Sequence, residues 1–204
     1  SLGKEDGGFD KYEEIKHIVS KMESFCRNGD FPLPYFLVVR TGNYVMELKN
    51  VGSFESTFLD TNQASSKTNL LKIIEFCNKH QIRIKEHNTD YLSDRALQLH
   101  PEIGIHAANI APEFAVAETR AFLSLLKKYQ LEKELEKFIE ISYSSKKWEK
   151  WMLNDSKLGK QEKAIISAHY IFGKNEFIDL KNDVERKISL KSTLDSYLKL
   201  EVKK

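Results

Sequence analysis

Apolar positions follow two alternating patterns over the first 130 residues. Three short runs are apolar and β-branched, as buried strands are: YFLVVRT (35–41), IRIKEH (82–87) and EIGIHAA (102–108). Around them, apolar residues recur at helical spacing over 9–29, 65–81 and 112–130. Because strands that alternate with helices form parallel βα units, the pattern predicts an α/β fold with a parallel sheet.

The first residues, SLGKEDGG, are interpreted as the end of a further strand that runs into a glycine turn. Residues 1–126 would then hold about four βα units, the C-terminal half of a TIM (β/α)8 barrel. From residue 127 the pattern is helical only, which predicts an all-helical extension over 127–204, packed on the barrel. Because four units leave the sheet with two open edges, we expect a longer protein or a second half-barrel as partner.

The composition is that of a soluble globular protein, with 41% hydrophobic and 30% charged residues. The sequence contains no apolar run long enough to cross a bilayer, and its first residues do not resemble a signal peptide. The two cysteines, Cys26 and Cys77, lie far apart, which favours free thiols over a disulfide. We therefore expect a cytoplasmic protein without a membrane partner.

The net charge of +2 is unevenly distributed. Residues 1–126 carry 14 basic and 17 acidic residues, and residues 127–204 carry 18 and 13. A basic tail could bind nucleic acid, but these lysines alternate with glutamates, as on solvated helix faces. We expect no nucleic-acid partner and interpret Trp148 and Trp151 as helix-packing residues.

Polar residues gather where the predicted strands end, and catalytic groups of parallel barrels lie at the carboxyl ends of strands. These residues are Glu5, Arg40, Lys85, Glu86, His87, Asn88, Thr89, Asp90, His106, Asn109 and Glu113. Within IRIKEH, Lys85 and His87 share the face opposite Ile82 and Ile84, and we expect that face to point into the barrel. A polar inward face is suited to an anionic substrate such as a sugar phosphate or sugar acid.

Several of these residues have two interpretations. His87 and His106 could share a divalent metal, completed by Glu5, Glu86 or Glu113, or both could be hydrogen-bonded core histidines. Lys85 is either a Schiff-base nucleophile or a fixed cation that pairs with Glu86 or the substrate. Asp90 is either a general base or a turn cap. Arg40 is interpreted as an anion clamp, since its strand is otherwise apolar.

Three of these segments also resemble a known family. LVVRTG, KEHNTDY and GIHAANIAPEFAVAETRAFLSLL, in this order and spacing, resemble the last three barrel strands of the class II D-tagatose-bisphosphate aldolase non-catalytic (Z) subunit family. KKWEKWML and KAIISAHYIFG are similar to its helical C-terminal region. The resemblance covers most of the chain but only the second half of the family's length, so residues 1–126 would correspond to barrel strands five to eight.

The resemblance implies a TIM barrel related to zinc-dependent class II aldolases, a role in sugar-phosphate metabolism, and assembly with a catalytic aldolase subunit. Its most specific segment is EHNTDY, in which Glu86, His87, Thr89, Asp90 and Tyr91 match the family motif. The segment IHAANIAPE departs from the family's VGPAL-like stretch and introduces His106, Asn109 and Glu113, which leaves the substrate open.

Two functions follow as hypotheses. In the first, the chain is a metal-dependent aldolase or epimerase: zinc polarises a carbonyl and stabilises an enediolate, while an acid/base pair moves protons. The catalytic residues would be His87, Glu86 and Asp90; the substrate ligands Arg40, Lys85, Asn88, Thr89, Asn109 and Glu113; and the metal ligands His87, His106 and Glu5. In the second, the chain is a non-catalytic subunit that stabilises a catalytic aldolase in an oligomer.

Overall fold

The computed structural model describes residues 8–59, 64–188 and 194–202. The chain divides into two compact units. The first contains the residues up to 110, except Met46–Leu48, which belong to the second unit together with the residues from Ala111 onward. The predicted division at residue 126 and this one differ by a single helix, which the structure groups with the C-terminal residues.

The elements before residue 111 are mainly helices around a small parallel sheet. The helices are α1 (Tyr12–Gly29), α2 (Phe54–Leu59), α3 (Ala64–Lys79) and α4 (Asp94–Ile103). The strands are β1 (Phe36–Val39), β2 (Val45–Met46), β3 (Lys49–Asn50), β4 (Arg83–Glu86) and β5 (Ala107–Ala108). Strands β1, β4 and β5 form the parallel sheet in the order β1-β4-β5, and β2 and β3 form a separate antiparallel pair.

The two faces of the parallel sheet have opposite environments. Val39 and Ile84 are fully buried and pack with Leu70 and Ile73 of α3 in one hydrophobic core. Burying each such side chain contributes about 2 kcal/mol. Because side chains alternate along a strand, Phe36 and Val38 of β1 and Arg83 and Lys85 of β4 lie on the opposite face, which is exposed or half-buried.

Local sequence signals set the bounds of α4. The Ser93 hydroxyl accepts a hydrogen bond from the Ala96 N–H at 3.2 Å, as an N-cap does. Gly104 ends the helix at φ 96°, a left-handed conformation that glycine adopts without strain, and its N–H donates to the His100 carbonyl. The cap and the glycine together fix the last turn of α4, in which His100 lies.

The second unit is helical. Its helices are α5 (Pro112–Lys128), α6 (Glu132–Ser144), α7 (Lys160–Ser167), α8 (Asn175–Lys187) and α9 (Leu194–Val202), with 3-10 turns at Glu149–Trp151 and Ala168–Tyr170. Its core is built on Phe122, Phe138 and Phe177, whose ring centroids lie 5.5–5.9 Å apart in edge-to-face geometry. None of the helices in the described part of the chain is both long and apolar enough to cross a membrane.

The predicted half TIM barrel is wrong. The strands predicted at 35–41 and 82–87 are confirmed as β1 and β4, and they are parallel. The strand predicted at 102–108 is reduced to two residues, because the capped helix α4 continues to Ile103. Over the described residues the parallel sheet has three short strands in a mainly helical chain, without a barrel-like arrangement. The strand predicted for SLGKEDGG lies outside the described residues, except for Gly8.

The two thiols should differ in reactivity. Burial in the core of the first unit raises the pKa of Cys77 to about 11, whereas Cys26 is only partly buried. A disulfide reagent at pH 8 should therefore modify one thiol rapidly in the folded protein and the second only after denaturant is added. Cys26→Ser should remove the rapid phase and Cys77→Ser the slow one; rapid modification of Cys26→Ser would contradict this assignment.

The ion pair between Glu134 and Lys187 should make the second unit's stability depend on pH. The Lys187 ammonium donates to the Glu134 carboxylate and thereby holds the pKa of that carboxyl below its usual value. A lowered carboxyl pKa stabilises the folded state above the unfolded value of about 4.3, and the contribution disappears as the pH falls through the folded pKa. Glu134→Gln should thus lower the free energy of unfolding at pH 7 by about 1 kcal/mol or less, since Lys187 is half exposed.

Urea unfolding at a series of pH values checks this. The difference between the wild type and Glu134→Gln should decrease as the pH falls below about 4.3 and vanish once it is below the lowered pKa of folded Glu134. Glu136→Gln, which changes an exposed carboxylate of the same helix, should show little difference at any pH. A difference that persists at low pH would show that Glu134 contributes by packing and not by charge.

Candidate functional site

Glu86, the first residue of the EHNTDY segment, is fully buried. It ends β4 on the same face as Ile82 and Ile84. Strand alternation therefore directs its side chain toward the core and away from the exposed face of the sheet, which carries Arg83 and Lys85. A buried carboxylate is costly unless hydrogen bonds or an opposite charge compensate for the lost water. Its surroundings must therefore supply donors.

Four side chains from three segments surround this carboxylate. Glu86 Oε1 accepts from the Thr41 hydroxyl and, at 2.6 Å, from Asn43 Nδ2. Glu86 Oε2 accepts from the Thr89 hydroxyl at 3.2 Å and lies 2.6 Å from His100 Nε2. All five residues are buried, and together we call them the Glu86 cluster.

His100 joins the cluster by proximity and ring stacking more than by a hydrogen bond. Its Nε2 is within ion-pair distance of Glu86 Oε2, yet the ring N–H is not aligned with that oxygen, and Nε2 makes no hydrogen bond within the described structure. The imidazole stacks on the Phe54 ring, with centroids 4.8 Å apart. The ring is therefore fixed by Phe54, with its Nε2 against the carboxylate.

A glycine turn after β1 places Thr41 and Asn43 on the carboxylate. Gly42 has φ 89°, and a Cβ at this position would lie 2.6 Å from the Phe9 ring, so only glycine fits. The Gly42 carbonyl accepts from the Ser53 N–H at 2.7 Å, which ties the turn to the start of α2. Asn43 uses its Nδ2 on the carboxylate, while its Oδ1 is buried without a hydrogen-bond partner among the described residues.

Asn50 fixes the loop that follows Glu86. Its Nδ2 donates to the carbonyls of Asn88 at 3.1 Å and Asp90 at 3.0 Å, and its Oδ1 accepts from the N–H groups of Tyr44 and Gly52. Asn88 and Tyr91 have φ of 60° and 61°, the left-handed region that costs non-glycine residues energy. Asn50 of β3 thus stabilises the strained loop 87–91, which we call the motif loop, by hydrogen bonds to its backbone.

Buried in this way, the Glu86 cluster is suited to joining segments. Both carboxylate oxygens are surrounded by side chains of the turn after β1, of the loop after β4, and of α4. A general acid or base needs to reach the proton that it transfers. With no exposed surface, Glu86 meets that requirement poorly, whereas it satisfies the polar groups of the segments around it.

The other predicted site residues are placed differently. Arg40 is exposed, and its Nε donates to Asp10 Oδ1 at 2.7 Å. The guanidinium that was predicted to bind a substrate anion is thus paired with a carboxylate of the protein itself. Asp90 is buried, with 2% of its surface exposed. Lys85 and His87 are half-buried, and Lys85 lies on the open face of the sheet between Val38 and Ala107.

The predicted metal ligands are not brought together within the described residues. The Ile84 N–H donates to His106 Nδ1 at 3.3 Å, which places His106 beside Ile84, whereas His87 follows Glu86, the partner of Ala108. Three residue positions along a sheet correspond to about 10 Å. Glu5 lies outside the described residues, and no group of three His, Cys, Asp or Glu side chains suited to a metal occurs among those described.

Asn109 contacts the cluster through its backbone, and Glu113 belongs to the other unit. The Asn109 backbone accepts from the Thr89 N–H and donates to the Glu86 carbonyl, both at 3.1 Å, so Asn109 holds the motif loop against the strand end. Glu113 is in the first turn of α5, in the second unit. The structure therefore brings Glu86, Thr89 and Asn109 together, with Asn109 acting through its main chain.

Four residues of this site, Thr41, Asn43, Asn50 and His100, were missed from the sequence. His100 could have been found, because Ala96 and His100 are four apart in a segment that begins with a capping serine and ends with glycine, and such residues share a helix face. Asn43 and Asn50 carried no comparable signal. Their partners lie 38 to 43 residues away in sequence; Asn43 lies in a turn, and the strand of Asn50 is only two residues long.

Removing the carboxylate should destabilise the first unit. Glu86→Ala would leave the Thr41, Asn43 and Thr89 donors buried without their acceptor, and we expect a loss of about 3 kcal/mol of unfolding free energy in urea. Glu86→Gln, which retains one acceptor oxygen, should cost less. Glu102→Ala, at an exposed carboxylate of α4, is the matched control and should be within about 0.5 kcal/mol of the wild type. Equal stability of Glu86→Ala and Glu102→Ala would show that the cluster does not stabilise the fold.

The chain was also compared with known proteins. Comparison of the chain with protein-family models, with curated proteins and with solved structures found no match in any of the three.

Proposed function

We propose that this protein acts in sugar-phosphate metabolism as a non-catalytic subunit that stabilises a catalytic class II aldolase. The observation that carries the proposal is the burial of Glu86 among Thr41, Asn43, Thr89 and His100. Glu86 is the motif carboxylate that an enzymatic role would use, and its contacts are those of a structural residue.

Two further placements support this role over catalysis. The Arg40 guanidinium, which would bind a substrate anion, is paired with Asp10, and the Asp90 side chain, which would act as a base, is buried. The resemblance of LVVRTG and KEHNTDY to a non-catalytic subunit family also supports a non-catalytic role. We place the role in the reducing cytoplasm, to which two free thiols are suited.

A second candidate is an aldolase or epimerase activity of the chain itself, acting on a sugar phosphate or sugar acid. It is favoured by Lys85 and His87, which are two apart on β4 and its extension and are both half-buried. An anionic substrate could approach Lys85 as a fixed cation and His87 as an acid/base.

Activity measurements on the purified chain, alone and mixed with a catalytic class II tagatose-bisphosphate aldolase subunit, test the proposal. Alone, the chain should not cleave tagatose bisphosphate. Mixed, it should prolong the half-life of the catalytic subunit's activity at 37 °C severalfold, as binding to a folded state does. His87→Ala should retain this effect, because the proposal assigns no chemistry to His87. Cleavage by the chain alone that His87→Ala abolishes would overturn the proposal in favour of the second candidate.

A further inference from the structure

One face of the parallel sheet is not covered by the core of the first unit. It consists of Phe36 and Val38 from β1, Arg83 and Lys85 from β4, and Ala107 from β5, which we call the open face. Phe36 is 37% and Val38 49% exposed, whereas Val39 and Ile84 on the opposite face are fully buried. Exposed aromatic and branched side chains in a contiguous strand face are typical of an interaction surface.

The open face also carries charge of one sign. Arg83 and Lys85 are cations, and none of its five residues is acidic. The Arg83 guanidinium lies 4.6 Å from the centroid of the Tyr35 ring at the margin of the face, where a cation–π contact holds it. Lys85 lies in register between Val38 and Ala107, so its charge stands among small apolar side chains. A complementary surface would pair carboxylates with these cations and apolar side chains with Phe36 and Val38.

We propose that the open face is the docking surface for a segment of the partner subunit that presents carboxylates beside apolar side chains. This inference rests on the proposed function, since it assigns the surface through which the aldolase partner is bound. The charge also argues against a second copy of this chain as the occupant. A two-fold contact through this face would place Arg83 and Lys85 of one copy against those of the other, and like charges at a contact are repulsive.

A charge-reversal experiment tests the surface directly. Arg83→Glu with Lys85→Glu changes the charge of the open face by −4, and neither side chain is fully buried, so the fold should persist. The matched control is Lys21→Glu with Lys72→Glu, which changes the charge equally at exposed positions of α1 and α3, the helices that pack on the covered face. Circular dichroism and urea unfolding verify that both variants fold.

The measurement is the affinity of each protein for the catalytic class II tagatose-bisphosphate aldolase subunit, with its half-life at 37 °C as a second readout. We expect the open-face variant to bind at least about tenfold more weakly than the wild type and the control variant to bind within about threefold of it. If the wild type binds and the open-face variant binds equally well, the docking surface is elsewhere and the proposed function stands.

Two other outcomes would also overturn the inference. If the wild type neither binds nor stabilises the catalytic subunit, the proposed function fails and the docking surface with it. If light scattering shows that the wild type alone self-associates and that the open-face variant does not, this face is an interface between copies of the chain.

Discussion

The first unit is organised by the need to compensate one buried negative charge. Glu86 has no exposed surface. Its hydrogen-bond donors come from the turn after β1 and the loop after β4, and the His100 ring of α4 lies against it. These contacts require particular backbone arrangements: Gly42 at positive φ for Thr41 and Asn43, and the capped end of α4 for His100. The charge therefore selects one mutual arrangement of segments that hydrophobic packing alone would specify less closely.

Side chains along β4 alternate between the two faces of the sheet, so a buried structural residue such as Glu86 directly follows an accessible one such as Lys85. Ile84 and Glu86 face the core, whereas Arg83 and Lys85 face outward. The sequence predicted this alternation correctly but assigned the catalytic interior to the outward face. The assignment depended on a closed barrel, in which that face would be enclosed. In the open three-stranded sheet the face is exposed, and its residues are better suited to binding a protein surface than to enclosing a substrate.

Much of the local structure could be predicted from the sequence, but only part of the site could. Strands β1 and β4 and helices α1, α3 and α5 follow from apolar periodicity, because each signal lies within one segment. The extent of β5 was overestimated because EIG resembles a strand, although Ser93 and Gly104 mark it as the end of a helix. The contacts of Asn43, Asn50 and His100 depend on tertiary structure, and residue type alone does not identify the partner of a polar side chain.

The cluster also constrains the order in which the chain can acquire its structure. Thr41 and Glu86 are 45 residues apart, and His100 lies in α4, the helix that follows β4 in sequence. While the chain is being synthesised, β1 and β4 can pair before α4 has left the ribosome, and until then the Glu86 carboxylate lacks its histidine and its cover. In that interval the Glu86 carboxylate has its Thr41, Asn43 and Thr89 donors but not the His100 ring, and the edge of β4 that β5 later pairs is open. Emergence of α4 and then of β5 ends it.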